Sequence, residues 1–206
     1  LKSWMISSRT SILITLETPD FPRSQAAQAV NVDKKEFDMT KAHLFWSHGL
    51  EAAPWGEKSK TMAEVAKQAD LTLEALDYRD TKDPEQRAAR LLSHLGEPEA
   101  PIILAGSSMG AYVSLSVAGE IPVAGLFLVA PALYLPGYKK HLFFNLPKNV
   151  EVIHGWHDDV VPVDNSIRFA RLHKTNLHIL PADHRMTGQA ALIGQLFARF
   201  LENIIP

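Results

Sequence analysis

The sequence predicts an α/β protein built on a doubly wound, mostly parallel six-stranded sheet with helices on both faces. Two observations carry this expectation. From Met39 onward, apolar runs alternate with amphipathic segments six times, which is the pattern of parallel strands joined by crossover helices. In addition, the run Ile102-Ile103-Leu104-Ala105 enters Gly106-Ser107-Ser108-Met109-Gly110 with a small-residue helical pattern directly behind it. That arrangement reads as a tight strand-to-helix turn that raises Ser108 above the edge of the sheet.

Taken in order, the first strand is expected over residues 42–47 and runs into His48-Gly49. Residues 57–69 follow as a helix with Met62, Val65, Ala66 and Ala69 on one face and Lys60, Glu64 and Lys67 outside. A second strand over 71–77 precedes Asp83-Pro84, a cap and first-turn pair for a helix that turns Ala88, Leu91, Leu92 and Leu95 inward. The third strand, 101–106, leads through the Ser108 turn into a helix over 108–120 whose Gly110, Ala111, Ser114 and Ala118 allow close packing. Strands at 124–130, 150–155 and 176–181, with helices at 165–173 and 187–204, complete the layers.

Residues 1–38 differ from this pattern. They hold no sustained period, contain Pro19 and Pro22, and end in the charged run Asp33-Lys34-Lys35-Glu36. They read as a leader, disordered or foreign to the native chain, ahead of a domain of residues 39–206. The alternative reading makes 11–17 an added edge strand, because Ile12, Ile14 and Leu16 alternate with polar or small neighbours.

Composition narrows the function classes. A formal net charge of -2 gives no electrostatic footprint for nucleic acid or an anionic membrane. The absence of cysteine removes disulfides, thiolate metal sites and a cysteine nucleophile. The longest uncharged stretches, 101–119 and 121–138, are broken by glycines amid serines and by Pro122, Pro131 and Pro136. No signal-peptide core forms at the start of the chain, so the expected location is cytoplasmic.

The chemistry-bearing residues fall at strand ends. Ser108 is a candidate nucleophile, and Met109, at the start of the following helix, offers a backbone amide to a developing oxyanion. The strand at 150–155 ends in Gly155-Trp156-His157-Asp158-Asp159-Val160-Val161-Pro162, and the last strand ends in Asp183-His184. Ser, Asp and His thus occur in the chain order used by serine hydrolases on a parallel sheet. Right-handed crossovers bring all the strand ends to one edge. His184 is the candidate base, and Asp158 or its neighbour Asp159 the candidate acid.

With these four motifs in order, the chain resembles the α/β-hydrolase superfamily, and its compactness resembles the small, lid-poor bacterial serine esterases; the resemblance covers about residues 42–204. The resemblance implies a strand order of 4-3-5-6-7-8 in that family's numbering. It places the acid at Asp158, the second oxyanion amide at Leu50, with Gly49 as the alternative, and His48 beside the site. It also marks 131–149, where larger relatives carry a cap, as a pocket segment offering Tyr134, Phe143 and Phe144, with Trp156 beside the acid. The implied activity is hydrolysis of a small acyl ester or thioester through an acyl-enzyme, with no metal and no cofactor. Amide cleavage or acyl transfer by the same residues is an alternative, as is an interaction protein with a vestigial site.

Overall fold

The computed structural model describes residues 42–205; the residues expected to form a leader, and the alternative edge strand at 11–17, lie outside them. The described chain forms six strands and five helices, with a helix between successive strands everywhere except between the fourth and fifth. They are β1 (His43–Ser47), α1 (Glu57–Gln68), β2 (Leu73–Leu76), α2 (Pro84–Leu95), β3 (Ile102–Ser107), α3 (Met109–Ala118), β4 (Gly125–Val129), β5 (Asn149–Gly155), α4 (Val163–His173), β6 (Asn176–Leu180) and α5 (Ala190–Glu202).

All strand pairings are parallel and the order is β2-β1-β3-β4-β5-β6. This is the order that the resemblance implied. A parallel strand between two helical layers must be apolar on both sides, and β3 and β4 are buried at every residue. On one face Phe45, Leu104, Leu128 and Val152 pack with Leu91, Leu115 and Phe169 of α2, α3 and α4. On the other, Trp46, Ile103, Phe127 and Val129 pack with Met62, Phe197 and Phe200 of α1 and α5.

Helix α3 lies closest to the sheet, and all ten of its residues are buried. Its Gly110 explains how. A Cβ there would stand 1.9 Å from the Ser47 carbonyl oxygen, so the helix start touches the end of β1 backbone to backbone. Helix α2 begins as expected, with the Asp83 carboxylate accepting from the Glu85 and Gln86 amides and Pro84 in the first turn.

Because the chain passes from β1 to the outer strand β2 and returns to β3 on the other side of β1, strand order reverses between β1 and β3. Open α/β sheets build their sites in the crevice at such a reversal. The loop after β1 and the turn after β3 meet there.

Candidate active site

Ser108 occupies the turn between β3 and α3 with φ 55° and ψ -121°. A side chain at positive φ outside the left-handed helical region is strained, and such strain persists only where surrounding contacts hold it. The holding contacts are visible: the Ser108 amide donates to the Val129 carbonyl at 2.9 Å, and its carbonyl accepts from Ala111, Tyr112 and Ala132 amides.

The loop after β5 approaches the loop after β6 as closely as backbone allows. A Cβ on Gly155 would lie 2.4 Å from the Ala182 carbonyl oxygen, and the Trp156 and His157 amides donate to Leu180 and Ala182. Asp158 and His184 are thereby brought together. Asp158 Oδ2 lies 2.7 Å from His184 Nδ1, and His184 Nε2 lies 2.9 Å from Ser108 Oγ. A carboxylate can only accept, so Nδ1 carries the proton, and Nε2 is left with a lone pair facing the serine hydroxyl.

The other oxygen of Asp158 accepts from the Val160 and Val161 amides at 2.9 and 2.7 Å, and the whole carboxylate is inaccessible to solvent. Asp159 is exposed. The structure thus pairs Asp158, and not its neighbour, with the imidazole. The neutral form of His154 completes the surroundings of the acid. Its Nε2 faces the Val161 carbonyl at 3.0 Å and Asp158 Oδ2 at 3.1 Å, and its Nδ1 lies 2.7 Å from the Ser166 hydroxyl. Two acceptors at Nε2 require the proton there. Burial pushes the His154 pKa down, against the opposing pull of the Val161 carbonyl and Asp158.

The loop after β1 is held just as tightly. Gly49 lies against Ser108, close enough that a Cβ would meet the serine Cβ at 3.4 Å. The Gly49 carbonyl accepts from His48 Nδ1 at 2.8 Å and from the Ala52 amide at 3.3 Å. In a trans peptide the carbonyl and the following amide point in opposite directions, so the Leu50 N–H is directed away from these donors. Among the described residues, neither the Leu50 nor the Met109 amide enters a backbone hydrogen bond.

Several expected pocket residues stand elsewhere. His48 is a buried packing residue. It is 1% exposed, its Nε2 accepts from the Tyr78 amide at 2.9 Å, and burial lowers its pKa, so neither nitrogen is left for a ligand. Phe143 is 4% exposed and packs edge-on against Tyr112 and Phe169 in the core. Phe144 is exposed, but its carbonyl lies beside Gly119, at the end of α3 remote from Ser108. Both line a cleft of about 490 Å³ with residues 172–175, ahead of the starts of β5 and β6. The connection from β4 descends the full height of the sheet before β5 begins, so its second half lies on the edge opposite the serine. Tyr134, near the top of that connection, has Arg168 4.2 Å above its ring and stacks on His141. Trp156, beside the acid, is exposed.

Sequence reading missed Arg87, Tyr78 and Ser166. The signal for Arg87 was present: it stands four residues before Leu91 on the inward stripe of α2, where a charge is out of place. Among the described residues no group of three or more His, Cys, Asp or Glu is arranged to hold a metal ion, and no helix is long and apolar enough to cross a membrane.

No family model matches the sequence, and no curated protein matches it. Solved structures do. A candidate hydrolase of the alpha/beta superfamily from Xanthomonas campestris pv. campestris superposes with a TM-score of 0.73 at 27% identity, over 78% of this chain and 98% of that one. An esterase from Pyrococcus furiosus gives 0.67 at 18% identity, covering 82% and 85%. A Xanthomonas campestris member of the α/β serine hydrolases without a lid gives 0.59 at 17% identity, covering 79% and 83%. The chain therefore has the α/β-hydrolase fold, and the likeness at 27% identity supports a hydrolase of that superfamily.

Proposed function

We propose that the protein is a serine hydrolase that cleaves a small carboxylic ester or thioester through an acyl-enzyme. The observation that carries this reading is the unbroken series Ser108 Oγ, His184 Nε2, His184 Nδ1, Asp158 Oδ2, with contacts of 2.9 and 2.7 Å. A serine hydroxyl is a weak nucleophile until an adjacent base takes its proton. Here the bare Nε2 of His184 accepts that proton as Oγ bonds to the acyl carbon, and Asp158 stabilises the imidazolium. The carbonyl oxygen, now an anion, is received by the Leu50 and Met109 amides. The imidazolium then gives its proton to the departing alcohol or thiol. Water repeats the sequence on the acyl-enzyme, with His184 taking its proton, and releases the acid.

The esterase among the structural neighbours supports an ester substrate. The reaction calls on neither a metal nor a cofactor. The test is a panel of acyl esters, thioesters and amides of graded chain length, run on wild type and Ser108→Ala. Saturable turnover of an ester or thioester that the variant loses by about a million-fold supports the reading. Turnover of amides alone, or of nothing in the panel, overturns it.

A further inference from the structure

Arg87 is 1% exposed and faces no carboxylate within ion-pair distance among the described residues. A buried charge of this kind is costly unless dipoles replace the lost water. The dipoles are backbone carbonyls. Nε and Nη2 donate to Thr81 at 2.9 and 2.7 Å, Nη1 to His48 and Gly49 at 3.3 Å each, and Nη2 reaches Leu50 at 3.5 Å. Three successive carbonyls of the loop after β1 thus turn toward one guanidinium.

We propose that Arg87 is the positioning residue of the oxyanion site. The proposal rests on the hydrolase reading above. All peptides in the described chain are trans. Carbonyls 48, 49 and 50 aimed at Arg87 therefore aim the amides of Gly49, Leu50 and Glu51 the other way, and Gly49 is the residue that abuts Ser108. The guanidinium also polarises the peptide it binds, which makes the Leu50 N–H a stronger donor. Its rigid fork spans several acceptors at once, which an ammonium cannot do from one point. His48 holds the same Gly49 carbonyl at 2.8 Å, but of the two only Arg87 also takes the His48 and Leu50 carbonyls on either side of it, and so fixes the direction of the whole turn. Arg87 touches neither substrate nor reacting atoms and acts through the Leu50 amide.

The test compares para-nitrophenyl acetate with para-nitrophenyl thionoacetate, whose sulfur is a poor acceptor for oxyanion-site donors. Wild type should prefer the oxygen ester strongly. In Arg87→Met and Arg87→Lys, kcat on the oxygen ester should fall about 100-fold with little change in KM, the scale of losing one oxyanion donor. The thionoester should change much less, so the oxygen-to-sulfur preference collapses, and Arg87→Lys should recover only a small part of it. A purely structural role would lower both substrates together and leave the preference intact, which overturns the proposal. If neither variant yields folded protein, Arg87 is a fold residue and the proposal also falls. Wild type inactive on both esters would refute the hydrolase reading itself, a result distinct from an unchanged preference in active variants.

Discussion

Replacing Asp158 by asparagine isolates the role of one charge. The amide oxygen can take over the two bonds from the Val160 and Val161 amides, which hold the carboxylate at 2.9 and 2.7 Å. The amide nitrogen then faces His184 Nδ1, now 2.7 Å from Oδ2, and His154 Nε2 at 3.1 Å. A nitrogen donor there forces the proton of His184 onto Nε2, the atom that must accept from Ser108. The expected loss is about ten-thousand-fold in kcat, as for a triad held in the wrong tautomer, or about 5 kcal/mol of transition-state stabilisation. Asp159→Asn, at an exposed position, should stay within about twofold of wild type. The assay is steady-state ester hydrolysis on protein whose melting temperature shows it folded. Asp158→Asn within tenfold of wild type, or a larger loss in Asp159→Asn, would refute the reasoning.

Other expectations follow from the same structure. Burial lowers the pKa of His48, His154 and His173 below the ordinary 6.5. The unfolded chain therefore binds their protons more readily, and stability should be full above about pH 6.5 and fall as pH drops toward the lowered folded values. A melting temperature flat between pH 8 and 5 would contradict this. Gly110→Ala should unfold the turn or abolish activity, because the new methyl meets the Ser47 carbonyl at 1.9 Å; normal activity would show that β1 and α3 can part without cost. Phe144→Ala should leave the preference between short and medium acyl esters unchanged, since Phe144 stands at the far end of α3. A shifted preference would place the acyl pocket on that segment after all.

The strands were legible because a parallel strand between two helical layers must be apolar throughout, and β3 is buried at all six positions. The ends of elements were less so. β2 stops at Leu76 because Asp77 turns to bind the Arg79 amide and guanidinium. α5 starts at Ala190 and not at Thr187, because the Asp183 carboxylate ties Thr187 into a turn and Gly188 has φ 73°. Ser108, Asp158 and His184 were readable because each follows a strand, and topology brings strand ends together. The residues that hold them were not. His154 with Ser166, Arg87 with the β1 loop, and Tyr78 with His48 meet only through packing, which leaves no spacing rule in the chain. Phe143 and Phe144 misled because closeness in sequence to the end of β4 says nothing about where a descending connection carries them.

The central claim, that Ser108 carries the acyl group, is tested most directly by trapping the intermediate. Wild type is mixed with an acyl ester, quenched within the first turnovers, digested and weighed by mass spectrometry. An acyl adduct is expected on the peptide containing Ser108, absent from Ser108→Ala and decaying as the free acid is released. An adduct on Ser107 or on another residue, or ester turnover that persists in Ser108→Ala, would contradict it.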